Sequence, residues 1–366
     1  MTFGEALVHF ADVMLIKKII SIENKITIII FDSAILVDLI KQEVKRIAFA
    51  DEVGNVILEL GGGEDTPVVL FMAHTDIVFD ENTPLVLREE GDRLYCPGIG
   101  DDTAHVAFLL HGGAEMARQT LPKDVTFVFA ANVCEEGEGN LLGCRALMER
   151  YGSRLREVIS FDSYLEKLHD TCVGSMRYRV TVKTAGGHSF RDFGAPNAIA
   201  KLCGLVAELE KQPLPTVGIT TFNFGSIGGG TTVNTIAAEA SLLYEFRSDR
   251  HENFAQMEAQ FRSACENVKD CSLTVETIGV RPCGNVEEAK QRVLVTRCEN
   301  AFAGLALPAR YPASTDCNLP LSMGIPAVCI GLVAGGGAHT REEYVSMTSF
   351  AKGAQVLSNL LSSYLS

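Results

Sequence analysis

The chain has 366 residues, of which 47% are hydrophobic and 21% charged, and its formal net charge is -14 at pH 7. A chain of this length is expected to form two domains. Its negative charge disfavours nucleic acid and anionic membranes as partners, because both would repel it at long range. We therefore expect a small-molecule partner.

The cysteines and the apolar segments give an expectation of the protein's cellular location. Eleven cysteines are scattered without a C-x-x-C pair, which is typical of reduced thiols and predicts a cytoplasmic location. The most apolar segment, Ile26 to Ile40, is too short to span a bilayer and contains Asp32 and Asp38. We interpret it as buried core and expect neither an export signal nor a membrane segment.

Strand and helix patterns alternate through the first half of the chain. Strands are predicted at Asn55–Leu60, Pro67–His74, Asp124–Val133 and Glu157–Phe161, and helices at Thr103–Gln119 and Leu141–Tyr151. This alternation predicts an α/β domain with a largely parallel, doubly wound sheet. In such a sheet, ligands bind at the carboxyl ends of the strands.

From about Val173 the pattern changes to the order β-α-β-β-α-β. The predicted elements are Arg177–Thr184, Asn197–Gln212, Thr220–Ile227, Ala240–Phe246, Glu252–Val268 and Ser272–Ile278. A helix at Val286–Phe302, a strand at Ala327–Leu332 and a helix at Arg341–Leu365 follow. We predict a first domain of residues 1–172 with 284–366 and an inserted domain of residues 173–283.

A histidine and a carboxylate end the second predicted strand. Residues two apart in an extended segment face the same way, so His74 and Asp76 project together. If one ring nitrogen of His74 binds a metal, a neighbouring carboxylate can hold the other nitrogen. The alternative is a surface histidine beside an aspartate.

Two further acidic stretches begin or precede helices. Asp101 and Asp102 stand immediately before the helix predicted at Thr103, where Asp102 could simply be the N-cap. Val133 to Asn140 reads VCEEGEGN. Adjacent carboxylates repel each other unless a proton or a cation relieves the repulsion. A solvated, glycine-rich turn is the alternative.

The ends of five segments together predict a metal centre at the sheet edge. Oxygen and imidazole donors follow each of them, and zinc is the leading candidate for such a set. Two metals need about six donor groups with a shared carboxylate. The candidate ligands are His74, Asp101, Glu136, Asp162 and His339, with Asp101 bridging.

The ordered motifs MAHTD, GIGDD, CEEGEG, FDS, GGHSF and GGGAHT extend this prediction to a family. From about residue 54 to its C-terminus the chain resembles the di-zinc metallopeptidases that include peptidase T, carboxypeptidase G, aminoacylase and succinyl-diaminopimelate desuccinylase. The resemblance implies an α/β catalytic domain with a doubly wound mixed sheet. It also implies that the inserted β-α-β-β-α-β domain serves as a lid and a dimerisation surface.

The resemblance also implies a role for each site residue. His74 and Asp162 would hold one zinc ion, Glu136 and His339 the other, and Asp101 would bridge them. Asp76 would orient His74. Glu135 would be the general base that takes a proton from the bridging water and returns it to the leaving amine.

Three residues of the inserted domain match further family positions. His188 would stabilise the oxyanion, in dimeric members from the neighbouring subunit, so the resemblance implies a homodimer. Asn234 and Arg247 would grip the backbone or carboxylate of the substrate. For Arg247 and Asn234, a salt bridge or a strand-end cap is an equal alternative.

The nature of the substrate remains open between branches of the family. Asp162, where other branches carry glutamate, and Ser314–Pro320 resemble peptidase T, which favours an aminopeptidase or tripeptidase acting on short peptides. An N-acyl amino acid deacylase or carboxypeptidase is the alternative, a catalytically silent binding protein is a third, and manganese or cobalt could replace zinc. The chain departs from the family at Thr103-Ala104, usually Lys-Gly, and at His105, usually a small residue.

Overall fold

The computed structural model describes residues 48–80, 82–284 and 286–365. The interpretation of Ile26 to Ile40 as buried core lies outside these residues. The chain forms two compact units, Met1–Cys172 with Asn285–Ser366 (unit 1) and Val173–Gly284 (unit 2). In the described ranges, no helix has both the length and the hydrophobicity needed to cross a bilayer.

The described residues contain eighteen strands and seven α-helices. The strands are β1 (Ala48–Ala50), β2 (Val56–Gly61), β3 (Val68–His74), β4 (Arg88–Glu90), β5 (Arg93–Tyr95), β6 (Thr126–Asn132), β7 (Leu155–Phe161), β8 (Lys167–His169), β9 (Gly174–Lys183), β10 (Gly187–His188), β11 (Thr220–Gly229), β12 (Thr235–Ile236), β13 (Glu239–Ser248), β14 (Ser272–Arg281), β15 (Ala309–Arg310), β16 (Ala327–Ile330), β17 (Gly335–Gly336) and β18 (Tyr344–Ser346). The helices are α1 (Ala104–Ala117), α2 (Leu142–Tyr151), α3 (Ala198–Leu209), α4 (His251–Glu266), α5 (Glu288–Ala301), α6 (Asn318–Ser322) and α7 (Phe350–Ser362).

An eight-stranded mixed sheet forms the centre of unit 1, in the order β1-β2-β6-β3-β7-β16-β8-β15. The four central strands β6, β3, β7 and β16 run parallel. Strands β3 and β6 are buried along their whole length, because helices cover both faces of the sheet. One core contains residues of α1, α5 and α7, and the other contains residues of α2 and α6.

The parallel register brings four strand ends to one edge of the sheet. His74 at the end of β3 lies opposite Asn132 of β6, and Ile330 at the end of β16 lies opposite Phe161 of β7. The segments that follow these strands therefore start side by side. This is the edge at which the sequence predicts the metal centre.

A small sheet in unit 1 was not predicted. Strands β17, β18, β5 and β4 form it in that order, and β18 occupies residues assigned from sequence to the C-terminal helix. That prediction was wrong at its start: Tyr344 pairs with Tyr95 of β5, Val345 is completely buried, and the helix begins at Phe350. A buried strand pairing thus overrides the helical pattern that we extended back to Arg341.

Unit 2 is a four-stranded antiparallel sheet with two helices. Its strand order is β11-β13-β9-β14, and the elements β9, α3, β11, β13, α4 and β14 follow one another in the predicted β-α-β-β-α-β order. Helices α3 and α4 share one core with the sheet, which includes Leu202, Phe246 and Phe261. Strand β11 is an edge strand of this sheet.

Candidate metal centre

His74, the last residue of β3, is buried with its ring between two aspartates. Its Nε2 lies 3.0 Å from Oδ1 of Asp101, and its Nδ1 lies 3.0 Å from the main-chain oxygen of Asp76 and 3.7 Å from Oδ1 of Asp76. An N–H at Nδ1 donates to that carbonyl, which leaves Nε2 to bind a cation. Burial opposes the charged ring, but Asp102 and Asp101 raise the pKa of His74 well above its usual value.

Asp101 presents its two carboxylate oxygens to two different histidines. Oδ1 faces His74 at 3.0 Å, and Oδ2 lies 3.2 Å from Nε2 of His339. Burial would raise the pKa of Asp101, but the hydrogen bonds with His339 and His74 lower it below its usual value. A single carboxylate therefore joins the two imidazoles, which is the arrangement that a bridging ligand requires.

Glu136 and His339 form the second half of the cluster. Nε2 of His339 lies 3.1 Å from Oε1 of Glu136. Burial, with the neighbouring charges of Asp101 and Glu135, raises the pKa of Glu136 to about 7. The hydrogen bond with Asp101 raises the pKa of His339 to about 9. At neutral pH His339 therefore holds a proton and Glu136 is partly protonated, and a cation would displace these protons.

Asp76 fixes the backbone of the paired glutamates. Its Oδ1 accepts a hydrogen bond from the main-chain N–H of Glu135 at 3.0 Å, and its Oδ2 accepts from Glu136 at 2.8 Å. The sequence predicts that Asp76 orients His74. The carboxylate of Asp76 instead makes its shortest contacts with Glu135 and Glu136, and its main-chain oxygen holds the His74 ring. The Glu135 side chain is 5% exposed, so it points into the protein.

Asp162 follows β7 and completes the predicted ligands. Its Oδ1 accepts a hydrogen bond from the N–H of Ser163. Burial, followed by the charge of Asp101, raises the pKa of Asp162. Ligand atoms of His74, Asp102 and Asp162 lie within 4.8 Å of one another. Asp162 therefore lies in the same group of possible ligand atoms as His74.

The cluster fits a pair of divalent cations. Two further groups of ligand atoms also lie within 4.8 Å, namely His74 with Glu135 and Glu136, and Asp101 with Glu136 and His339. Each group mixes imidazole nitrogen with carboxylate oxygen, a set that suits zinc, manganese or cobalt. The acids whose pKa values are raised by burial and then by neighbouring carboxylates would be stabilised in their ionised form by such cations.

Asp102 does not cap a helix, although that was an equal alternative at the sequence level. The N-cap of α1 is Thr103, with no side-chain capping bond. Asp102 is completely buried, and its Oδ2 accepts a hydrogen bond from the main-chain N–H of His74 at 2.9 Å. Its Oδ1 lies 2.7 Å from Nδ1 of His105. The side chain therefore supports the end of β3.

Glu343 supports the loop that carries Asp101 and was missed at the sequence level. This carboxylate is completely buried. It accepts main-chain hydrogen bonds from Gly98 at 2.8 Å, Gly100 at 2.7 Å and Asp101 at 2.8 Å. Burial nevertheless raises its pKa. No signal in the sequence around Glu343 indicated this role, because its partners lie more than 240 positions earlier in the chain.

A second buried acid, Asp316, was noted in the sequence only as part of a motif. It is 1% exposed, and its Oδ2 accepts a hydrogen bond from Nδ2 of Asn132 at 2.7 Å. Burial, followed by the charge of Glu135, raises its pKa. Asp316 therefore adds to the negative potential around Glu135.

Unit 2 carries the remaining three predicted site residues. His188 is exposed, and its Nδ1 accepts hydrogen bonds from the N–H groups of Phe190 at 3.2 Å and Arg191 at 3.4 Å. Its proton therefore sits on Nε2. Asn234 is adjacent, because its main-chain oxygen accepts from the N–H of Ser189 at 3.0 Å.

Arg247 makes the salt bridge that was its alternative reading. Its Nε and Nη2 donate to the two carboxylate oxygens of Glu245 at 3.0 and 3.2 Å. A bidentate pair of this kind holds the guanidinium in a fixed plane. If Arg247 binds the substrate, as the sequence predicts, its guanidinium must either contact the substrate while it is paired with Glu245 or leave Glu245.

Comparison with known proteins supplies a family and a fold. The profile of Peptidase family M20/M25/M40 matches residues 70–363. Similar sequences include an acetylornithine deacetylase from Buchnera aphidicola subsp. Schizaphis graminum, 22% identical over 377 residues, which cover 95% of each chain. Carboxypeptidase G2 from Pseudomonas sp. is 24% identical over 322 residues, which cover 84% of this chain and 77% of the relative.

Solved structures confirm the predicted α/β class with its large mixed sheet. Aminopeptidase PepT from Bacillus cereus matches with a TM-score of 0.69 at 19% sequence identity, and the match covers 92% of this chain and 94% of that chain. At this identity the similarity establishes the fold alone.

Proposed function

Because the chain belongs to peptidase family M20/M25/M40, we propose that it is a zinc-dependent aminopeptidase or tripeptidase that hydrolyses short peptides next to a free amino terminus. The observation that carries this proposal is the position of Asp101, whose two oxygens face His74 and His339 at 3.0 and 3.2 Å. In the proposed centre His74 and Asp162 would hold one metal, Glu136 and His339 would hold the other, and Asp101 would be shared between them.

When bound, two zinc ions would polarise the scissile carbonyl and lower the pKa of a water molecule between them. The protein's part in the reaction is proton transfer and orientation. Glu135 takes a proton from the attacking water on its carboxylate and delivers it to the leaving amine. Asp76 holds the main chain of Glu135 and Glu136, so that the base and the ligand beside it keep a fixed spacing.

The proposed role of unit 2 is to close over the substrate and to form a homodimer. His188 has its proton on Nε2, which is the donor that an oxyanion needs. Edge strand β11 and the exposed Phe190 and Phe193, at 85% and 91% exposure, provide a surface for a second copy. Asn234 and Arg247 are proposed to contact the substrate backbone or carboxylate.

A second candidate is an N-acyl amino acid deacylase or a carboxypeptidase. It is favoured by the sequence similarity to an acetylornithine deacetylase and to carboxypeptidase G2. The peptidase proposal is favoured by Asp162 in place of glutamate and by the structural match to aminopeptidase PepT. We also propose a cytoplasmic location, since none of the eleven cysteines, all of which lie in the described residues, forms a disulfide.

The deciding experiment combines metal analysis with a substrate panel. Purified protein would be assayed for metal content and for hydrolysis of di- and tripeptides, N-acetyl amino acids and carboxypeptidase substrates, with and without chelator. Near two metals per chain and chelator-sensitive tripeptide cleavage support the proposal. If the protein binds metal but hydrolyses only N-acyl amino acids, the second candidate is supported. If it binds no metal after reconstitution with zinc, manganese and cobalt, both candidates are refuted.

A further inference from the structure

His105 lies at the start of α1, where the resembled family usually has a small residue. The imidazole is completely buried. Its Nδ1 lies 2.7 Å from Oδ1 of Asp102 and 3.1 Å from the main-chain oxygen of Gly100. Its Nε2 lies 3.0 Å from the main-chain nitrogen of Leu332. The ring therefore contacts three residues in two chain segments, the stretch before α1 and the stretch after β16.

The tautomer follows from these contacts. A main-chain N–H donates at Leu332, so Nε2 of His105 must be the acceptor, and the ring proton sits on Nδ1. Both neighbours of Nδ1 are oxygens. Among the residues that the structure describes, no donor, the Nδ1–H group included, meets hydrogen-bonding geometry at Oδ1 of Asp102. The Nδ1–H group donates to the main-chain oxygen of Gly100 and lies beside this buried carboxylate oxygen at 2.7 Å.

The three contacted residues are each linked to proposed metal ligands. Asp102 accepts from the main-chain N–H of His74 through its other oxygen, and Gly100 directly precedes Asp101. Leu332 lies in the segment between β16 and His339. A shift in the His105 ring would therefore be transmitted to His74 and to the bridging carboxylate.

We propose that His105 is a positioning residue for the metal centre, acting through its Nδ1–H on Asp102 and Gly100. This inference rests on the proposed function. Its effect is expected on metal affinity, because outer partners that orient metal ligands affect affinity by about 10-fold to 100-fold. The alternative is a buried histidine that only fills the core.

Two substitutions separate these alternatives because each keeps the hydrogen-bonding function of only one of the two ring nitrogens. The amide of H105N occupies the place of Nδ1 and keeps a donor to Gly100 and Asp102, but loses the acceptor for Leu332. The amide of H105Q reaches the place of Nε2 and keeps that acceptor, but loses the donor. H111Q, on the same helix, is the matched control.

The measurements are zinc affinity by competition with a chromophoric chelator, the absorption spectrum of the cobalt form, and the melting temperature of the metal-free protein. We expect H105Q to weaken zinc binding about 10-fold to 100-fold and to change the cobalt spectrum. We expect H105N to bind zinc nearly as the wild type does, with a lower melting temperature, since the N–H of Leu332 loses its partner.

The inference is overturned if H105Q binds zinc like the wild type. It is also overturned if both variants lose affinity in proportion to their loss of melting temperature, because that is the signature of packing alone. Failure of the proposed function looks different: the wild-type protein itself would then bind no metal.

Discussion

The carboxylate of Glu343 accepts a hydrogen bond from the main-chain N–H of Asp101 at 2.8 Å, across 242 positions of sequence. With the two bonds from Gly98 and Gly100, it ties the start of the small sheet to the loop before α1. The loop that carries Asp101, the proposed bridging ligand, and the segment after His339 are therefore parts of one hydrogen-bonded unit.

Substitution E343Q tests this unit. Glutamine keeps one acceptor oxygen, but its NH₂ group would face a main-chain N–H that now has no acceptor. We expect a loss of about 2 kcal/mol in the free energy of unfolding, measured by urea denaturation of the metal-free protein. The control is E342Q, at the neighbouring exposed position, where the change should stay within about 0.5 kcal/mol. Equal effects at both positions would contradict the assignment.

Substitution E135A tests the proposed general base. The side chain of Glu135 is proposed to transfer protons and is not one of the proposed metal ligands. We therefore expect kcat to fall about 10²-fold to 10⁴-fold while metal content stays nearly intact. The measurements are steady-state kinetics and elemental analysis of the same sample. E149A, at an exposed position on α2, should leave both unchanged. Wild-type turnover in E135A would refute the role.

Substitution H339A tests a proposed ligand. The imidazole contacts both Asp101 and Glu136, and its loss removes the only nitrogen donor proposed for the second metal. We expect bound metal to fall from near two to near one per chain, measured by elemental analysis after dialysis. H251A, at an exposed histidine of unit 2, should retain both metals. Full metal content in H339A would contradict the assignment of His339 as a metal ligand.

The pH dependence of metal binding follows from two raised pKa values. In the folded protein the pKa of His339 rises from 6.5 to about 9, and that of Glu136 rises from 4.5 to about 7. A raised pKa stabilises the metal-free fold at pH values below the unfolded pKa. That contribution is lost as the pH rises through the folded pKa. The metal-free protein should therefore lose these contributions between about pH 5 and pH 9.

Metals compete with the same protons, so the stabilisation that they supply should grow over this range. The measurement is the difference in melting temperature between metal-loaded and chelator-treated protein at several pH values from about 6 to 9. A difference that stays constant or shrinks as the pH rises would argue against Glu136 and His339 as ligands.

The sequence predicts that His74 and Asp162 lie close together because each stands at the end of a strand whose apolar run is easy to recognise. His74 and Asp162 end wholly or largely buried strands, and parallel strands bring their ends to one edge. The β-α-β-β-α-β order of unit 2 was readable for the same reason, since its strands are long and its helices periodic.

The residues and strands that hold the site in place could not be predicted from the sequence in this way. Asp102 stands where an N-cap is common, and only its burial and its bond to His74 show the other use. Glu343 contacts residues more than 240 positions away, a relationship with no local signal. Strands β4, β5 and β18 have three residues each, too few to show an alternating pattern.

The division of residues between the two units has an evolutionary consequence. Every proposed metal ligand lies in unit 1, whereas His188, Asn234 and Arg247 lie in the continuous segment Val173–Gly284. If His188, Asn234 and Arg247 have their proposed roles, changes within that segment would alter substrate recognition without changing any proposed metal ligand. A scaffold arranged in this way can acquire new substrates by drift in one stretch of its gene.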